Sequence, residues 1–167
     1  MRHEQGRWGA ALVLTIGLVG LLTLGQATQD AEPASLVINE IEANPAGLDS
    51  GNEWIEILNP SEQPVDLFGW TVSYTYRGPG TLPLVEKSTM LESGDRFVFV
   101  YPNLALRNGE PNVIQLIDPA GLVVDETSPL SDSDDNDNTW QRFPDGGDPW
   151  FPDLWLFLPA TQGRTND

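Results

Sequence analysis

After residue 34 the sequence is a series of short runs rich in β-branched and aromatic residues, separated by glycine, proline, asparagine and aspartate. Such runs indicate strands, because the turn residues interrupt the chain before a helix could extend over several turns. No window beyond the first 27 residues has a helical period. With 14 prolines and 16 glycines in the chain, an immunoglobulin-like antiparallel β-sandwich fits better than a helical or α/β fold. The strands are predicted within residues 35–43, 53–58, 70–76, 96–101 and 112–126.

Three of these runs also predict where they lie in the fold. WTVSYTY, residues 70–76, alternates large side chains with hydroxyl side chains and predicts a half-buried strand. RFVFVY, residues 96–101, is apolar on both faces and predicts a central strand of the core. Residues 112–126 predict a hairpin, with DPAG at 118–121 as the turn between two apolar runs.

The first 27 residues differ from the rest of the chain. Two arginines precede the uncharged stretch WGAALVLTIGLVGLLTLG, and small and polar residues follow it. This order predicts a leader helix over residues 1–27, either a signal peptide cleaved after Ala27 or an uncleaved membrane anchor. Residues 28–34 are then a linker, and 35–167 form one domain that is secreted or held at the cell surface.

Charge and residue inventory exclude several classes of function. The formal net charge of -17 disfavours nucleic-acid binding, because phosphate backbones are bound by basic side chains. The chain has no cysteine, and its one histidine, His3, lies in the leader. The predicted domain therefore cannot form disulfides, zinc sites of histidine and cysteine, or catalytic triads that use either residue. Membrane contact is expected only through an uncleaved leader.

Several motifs together resemble the lamin-tail domain, an immunoglobulin-like β-sandwich, of the prokaryotic exported type. In order along the chain they are INEIEANP at 38–45, GNEWIEILNPSEQPVDLFGWTVS at 51–73, LESGDRFVFV at 91–100, TWQRFPDGGDPW at 139–150 and PATQGRTN at 159–166. The resemblance implies a non-enzymatic interaction module, used for binding or surface tethering. It does not imply filament assembly or delivery of an enzyme, since this sequence has neither a heptad rod nor an accompanying catalytic domain.

The acidic run SDSDDNDN, residues 131–138, is a candidate calcium loop. Alternating oxygen-bearing side chains can turn several ligands toward one ion, and calcium takes six to eight oxygens. The run is not an EF-hand, because it lacks the glycine and the glutamate of that loop. The alternative is a solvated loop, as for most runs of like charge. The predicted ligands are Asp132, Asp134, Asn136 and Asp137.

The aromatic residues have two interpretations. Most are expected to pack in the core or at its rim, since aromatic side chains dominate burial in small β domains; these are Trp54, Trp70, Phe97, Phe99 and Trp140. The segment WFPDLWLFLP carries more aromatic side chains than one edge segment usually buries, so it is a candidate contact patch for a protein or a surface polymer, with structural lining as the alternative. The patch would consist of Trp150, Phe151, Trp155 and Phe157.

Four glutamates on neighbouring predicted strands leave a weaker enzymatic alternative open. Glu40 and Glu42 are expected to share a face, whereas Glu53 and Glu56 point to opposite faces. A pair of carboxylates at a suitable separation could hydrolyse a glycoside. The sequence favours instead an exported, acidic, non-enzymatic binding or structural module, because nothing in it sets such a pair in a cleft.

Overall fold

The computed structural model describes residues 36–75, 81–100, 106–147 and 154–166. The predicted leader at 1–27 and the linker at 28–34 lie outside the described residues. Within the described ranges, no helix is long and apolar enough to cross a membrane.

The fold is all-β and antiparallel, as the strand-like runs predict. A five-stranded sheet has the order β11-β10-β1-β2-β7, a four-stranded sheet has the order β5-β4-β8-β9, and β3 pairs with β6. Side chains from both larger sheets form one hydrophobic core, consistent with an immunoglobulin-like sandwich. The strands are β1 Val37–Glu42, β2 Trp54–Leu58, β3 Val65–Asp66, β4 Thr71–Tyr74, β5 Leu82–Pro83, β6 Met90–Leu91, β7 Arg96–Phe99, β8 Ile114–Ile117, β9 Val123–Glu126, β10 Asn138–Phe143 and β11 Leu154–Pro159.

A bulge in β1 decides which of its side chains face the core. Ile38 and Ile41 are three residues apart, yet both lie in the core, opposite two core isoleucines of β2. Regular alternation would place them on opposite faces, but the register shifts by one residue between Ile38 and Glu40. Ile41 faces the core, so Glu40 and Glu42 on either side of it share the outer face of the five-stranded sheet.

The predictions for β4 and for the β8–β9 hairpin are confirmed within the described residues. In β4 the side chains of Val72 and Tyr74 are buried, while the hydroxyl side chains between them are partly exposed. Asp118 closes the hairpin turn, because its carboxylate accepts hydrogen bonds from the backbone N–H groups of Ala120 and Leu122. The second apolar run of the hairpin is largely exposed, since β9 is an edge strand.

The prediction that residues 96–101 form a central strand is wrong. Among the described strands, β7, the described part of that run, pairs only with β2 and lies at the edge of the five-stranded sheet. Apolar side chains on both faces of a strand indicate that both faces are covered. They do not indicate whether the backbone of the strand is hydrogen-bonded to a neighbouring strand on each side. Phe99 faces the core, while Arg96 begins the strand with a partly exposed side chain.

A partly buried ion pair joins the edge of one sheet to the other sheet. Asp125 of β9 accepts hydrogen bonds from the backbone N–H of Ile38 in β1 at 2.7 Å and from the guanidinium of Arg142 in β10 at 2.6 Å. Its carboxylate therefore connects β9 to two strands of the five-stranded sheet.

Candidate functional site

Two glutamates lie side by side on the outer face of the five-stranded sheet. Glu40 of β1 and Glu56 of β2 are directly opposite each other, and both are fully buried. The C-terminal segment, residues 160–166, supplies donors to both. Thr161 donates to Glu40 from its backbone N–H at 2.7 Å and from its hydroxyl at 2.9 Å. The N–H of Gly163 donates to Glu56 at 2.7 Å, so this segment helps to offset the desolvation of both carboxylates.

Asparagine and arginine side chains complete this network. Asn39 donates to Glu56 at 2.9 Å and to Asp145 at 3.0 Å, and Arg96 forms ion pairs with the same two acids. The side chain of Asn166 donates to the carbonyl of Asn39 at 2.9 Å. Burial raises the pKa of Glu56, while its hydrogen bonds and Arg96 act in the opposite direction. Every carboxylate oxygen of Glu56 and Glu40 thus has a donor, as expected for buried acids that hold a fold together.

Glu42 lies on the same face of β1 as Glu40, but its surroundings are open. Beside it is a cleft of about 470 Å³, which we call the acidic cleft. Such a volume lies within the range of small-ligand sites, which is about 300–1,000 Å³. The cleft is lined by Glu42, Pro45, Ala46, Gly51, Asn52, Trp54, Val100, Asp137, Ala160 and Gln162.

The carboxylate of Glu42 is buried but incompletely bonded. Its residue is 3% exposed, and Oε1 accepts a hydrogen bond from the backbone N–H of Asn44 at 3.2 Å. Oε2 accepts none from the described residues and reaches the solvent of the cleft. Burial raises the pKa of Glu42 to about 7, against the effect of the Asn44 hydrogen bond, and the charges of Asp132, Asp137 and Glu40 raise it further. A cation placed beside Oε2 would relieve both the desolvation and the repulsion.

A second glutamate with a raised pKa lies next to this group. Glu53, directly before β2, is buried and accepts a hydrogen bond from the backbone N–H of Leu106 at 2.9 Å. Burial raises the pKa of Glu53 to about 7; the Leu106 hydrogen bond lowers it, and the charges of Asp49 and Glu42 raise it. Glu53 and Glu56 therefore have separate sets of partners, and the described structure does not place them as a pair in one cleft.

The four predicted calcium ligands differ in burial and in their partners, and Asp134 is exposed. Asp132 is 3% exposed; its Oδ1 accepts from the backbone N–H of Asp134, and its Oδ2 has no hydrogen-bond partner. Asn136 uses its side-chain oxygen to accept from the N–H of Asn138, and Asp137 is exposed at the acidic cleft. Across the described ranges, no group of three or more acids, histidines or cysteines is arranged to hold a metal ion. Calcium binding by this run stays a prediction.

The structure corrects the expected exposure of the aromatic patch at one residue. Trp155 is 8% exposed and belongs to the core, and the guanidinium of Arg142 lies 5.1 Å from the centre of its ring. Phe157 is partly buried and packs against Trp140, with ring centres 5.1 Å apart. Neighbouring residues therefore cover the side chains of both Trp155 and Phe157. The composition of the segment could not show this, because it does not tell which other residues pack against the strand. The other two residues of the predicted patch, Trp150 and Phe151, lie outside the described residues.

Of the aromatic residues predicted to pack in the core or at its rim, Trp70 and Phe99 lie in the core, and Phe97 and Trp140 are partly buried against it. Trp54 is buried on the outer face of β2, opposite Glu42, and lines the cleft. Sequence analysis missed this cleft because its walls come from distant parts of the chain. The sequence feature that could have indicated the cleft is the alternation in β1, which puts the polar side chains of Glu40 and Glu42 on one face.

The comparisons with known proteins agree with the fold. A search of curated proteins gives no significant match. The family model described as Lamin Tail Domain matches residues 29–131. The match ends before β10, although β10 lies between β11 and β1 in the five-stranded sheet. The family suggests a non-enzymatic immunoglobulin-like module, and the all-β fold agrees with an immunoglobulin-like sandwich. The matched range covers more than half of the sequence, and the chain therefore belongs to the lamin tail domain family.

Proposed function

We propose that this protein is an exported, non-enzymatic binding module that acts at or outside the cell surface, with the acidic cleft as its binding surface. The observation that carries the proposal is the carboxylate of Glu42, which is buried in the wall of an open cleft and keeps one oxygen without a donor. Oε2 is not one of the fully buried atoms without a partner, so it reaches the solvent of the cleft, where a ligand can contact it. The predicted leader supports the extracytoplasmic location, and the partner is a protein or a surface polymer.

The contacts of the glutamates argue against the hydrolase alternative. A glycosidase needs two carboxyl groups on either side of one substrate bond. Here Glu53 binds a loop backbone, while Glu56 is enclosed by the C-terminal segment and Arg96. Both acids are engaged in holding the fold.

The binding role is tested with a panel of polymers: acidic, neutral and basic polypeptides, and neutral and amino polysaccharides. Amide hydrogen exchange is followed at Gly51 and Asn52, which line the cleft and are exposed in the free protein. We expect at least one polymer to slow exchange there without being degraded. Protection by no polymer, or hydrolysis of one at an enzyme-like rate, would refute the proposal.

Calcium-dependent recognition is a second candidate, and one observation favours it. Oδ2 of Asp132 is buried without a partner, and burial together with the charge of Asp134 raises the pKa of Asp132 against the hydrogen bond from the Asp134 N–H. A calcium ion that bound only the folded protein would raise its melting temperature. Equal melting temperatures in EDTA and in millimolar calcium would remove this candidate.

A further inference from the structure

The acidic cleft combines a buried carboxylate with apolar walls. Glu42 and Asp137 provide negative charge, while Trp54 and Val100 provide apolar surface. Val100 is 47% exposed, although it is a large aliphatic side chain next to a core strand. A ligand that suits all four residues carries a positive charge at one end and an apolar body behind it.

The charge of the ligand follows from the electrostatics of the cleft. Glu42 is surrounded by the like charges of Asp132, Asp137 and Glu40, and Glu53 is also close enough to be affected by Glu42. The whole chain has a formal net charge of -17, so it attracts basic partners from a distance. An anionic ligand would be repelled both by the net charge of the chain at a distance and by the acids of the cleft at contact.

The size of the cleft favours an organic cation over a metal ion. One water-sized ion needs a space of about 30 Å³, whereas the cleft measures about 470 Å³. Calcium also prefers six to eight oxygen ligands, and no metal-holding group of acids is found in the described ranges. A cation with its own carbon stem fills the remaining space.

The bonding of Glu42 distinguishes between the two basic side chains. Arginine binds carboxylates best through two parallel hydrogen bonds, which require both oxygens. In Glu42 the N–H of Asn44 already donates to Oε1, so a bidentate arginine would have to share that oxygen with it, whereas Oε2 has no donor among the described residues. A lysine ammonium is a point charge that needs only one oxygen from each acid. Its four-carbon stem can also lie along an apolar wall while the charged end is bound.

We propose that the acidic cleft binds the side chain of a lysine from a basic segment of a protein partner. The ammonium lies between Oε2 of Glu42 and the carboxylate of Asp137, and the stem lies along Trp54 and Val100. The tryptophan ring adds a cation–π attraction. Glu42 is already desolvated in the free protein, so much of the cost of forming a buried ion pair is met before the partner arrives. This inference rests on the proposed binding function and assigns it a partner class.

The test measures binding of a synthetic octalysine peptide to the full chain at pH 8, where Glu42 is largely ionised. The variants are Glu42→Gln, Asp137→Asn and Val100→Ser, and the control is Glu92→Gln, which removes one charge from an exposed residue outside the cleft lining. We expect Glu42→Gln to raise the Kd at least about tenfold, equivalent to about 1.4 kcal/mol. Asp137→Asn and Val100→Ser, both at exposed positions, should raise it by smaller factors, and the control should change it least.

Other probes separate the competing explanations. Octaarginine should be less sensitive to Glu42→Gln than octalysine, and an equal or greater sensitivity would overturn the assignment of a lysine. Equal loss of octalysine binding in Glu42→Gln and Glu92→Gln would mean attraction by net charge alone and would also overturn it. Binding of calcium, but not octalysine, that depends on Glu42 would make the cleft a metal site. If octalysine fails but another polymer protects Gly51 and Asn52, the lysine inference is wrong while the binding function stands.

Discussion

Replacing Glu53 by glutamine should stabilise the folded protein at alkaline pH and have little effect in mild acid. The pKa of Glu53 is raised from its ordinary 4.5 to about 7, chiefly by burial. The folded protein therefore binds this proton more tightly than the unfolded chain. The contribution of Glu53 to the free energy of unfolding is therefore fully present below about pH 4.5. It is lost as the pH rises from there through about 7. Glutamine has the shape of the protonated acid and carries no charge at any of these pH values.

The magnitude follows from the size of the shift. A change from 4.5 to about 7 corresponds to at most about 3 kcal/mol at pH 8.5, since each pKa unit is worth about 1.4 kcal/mol. At pH 5 the same arithmetic gives less than about 1 kcal/mol. The oxygen of the glutamine can keep the 2.9 Å hydrogen bond from the backbone N–H of Leu106, so the loop keeps its anchor.

The assay is urea denaturation followed by tryptophan fluorescence at pH 5 and pH 8.5, with Glu92→Gln as a control at an exposed acid. We expect Glu53→Gln to raise the midpoint more at pH 8.5 than at pH 5 without changing the slope. A variant no more stable than the wild type at pH 8.5 would refute the reasoning. So would an equal gain at both pH values, because the gain would then not come from the proton.

Three further substitutions probe the buried polar contacts. Glu40→Gln replaces an acceptor oxygen with a donor and should lower the free energy of unfolding by about 1–3 kcal/mol at both pH values; a gain in urea denaturation would contradict the network. Asp125→Asn removes the charge of the partly buried partner of Arg142 and should destabilise by about 1–3 kcal/mol, and an unchanged urea midpoint would mean that this link between the sheets adds little. Asn166→Ala removes the donor to the Asn39 carbonyl and should cost about 1–3 kcal/mol, with faster hydrogen exchange in the C-terminal segment; unchanged exchange would show that this contact does not hold the segment.

The structure also extends the folded unit beyond the matched part of the family model. The match ends at residue 131, yet β10 occupies an interior position of the five-stranded sheet. Residues 160–166 then supply donors to acids in β1 and β2. Sequence analysis placed this last stretch in the domain through its PATQGRTN motif, and the contacts of Thr161 and Gly163 give that placement a physical reason.

Local patterns were sufficient to predict the fold class and some of its elements. The alternation in residues 71–74 predicts β4 because successive strand residues face opposite sides of a sheet. The hairpin turn follows from Asp118 and Gly121, since the aspartate bonds its own turn backbone and the glycine adopts a φ of 85°. Both depend on residues only a few positions apart, so the sequence carries them directly.

What the tertiary structure alone decided is the burial of polar groups and the position of each strand. Glu40 is buried because Thr161, 121 residues further along the chain, covers it. Glu42 has the same residue type and lies on the same face, yet it borders an open cleft. The sequence by itself determined an acidic all-β chain of lamin-tail type. The difference between a carboxylate with donors on both oxygens and one with a donor on a single oxygen arises from long-range packing, and no local pattern encodes it.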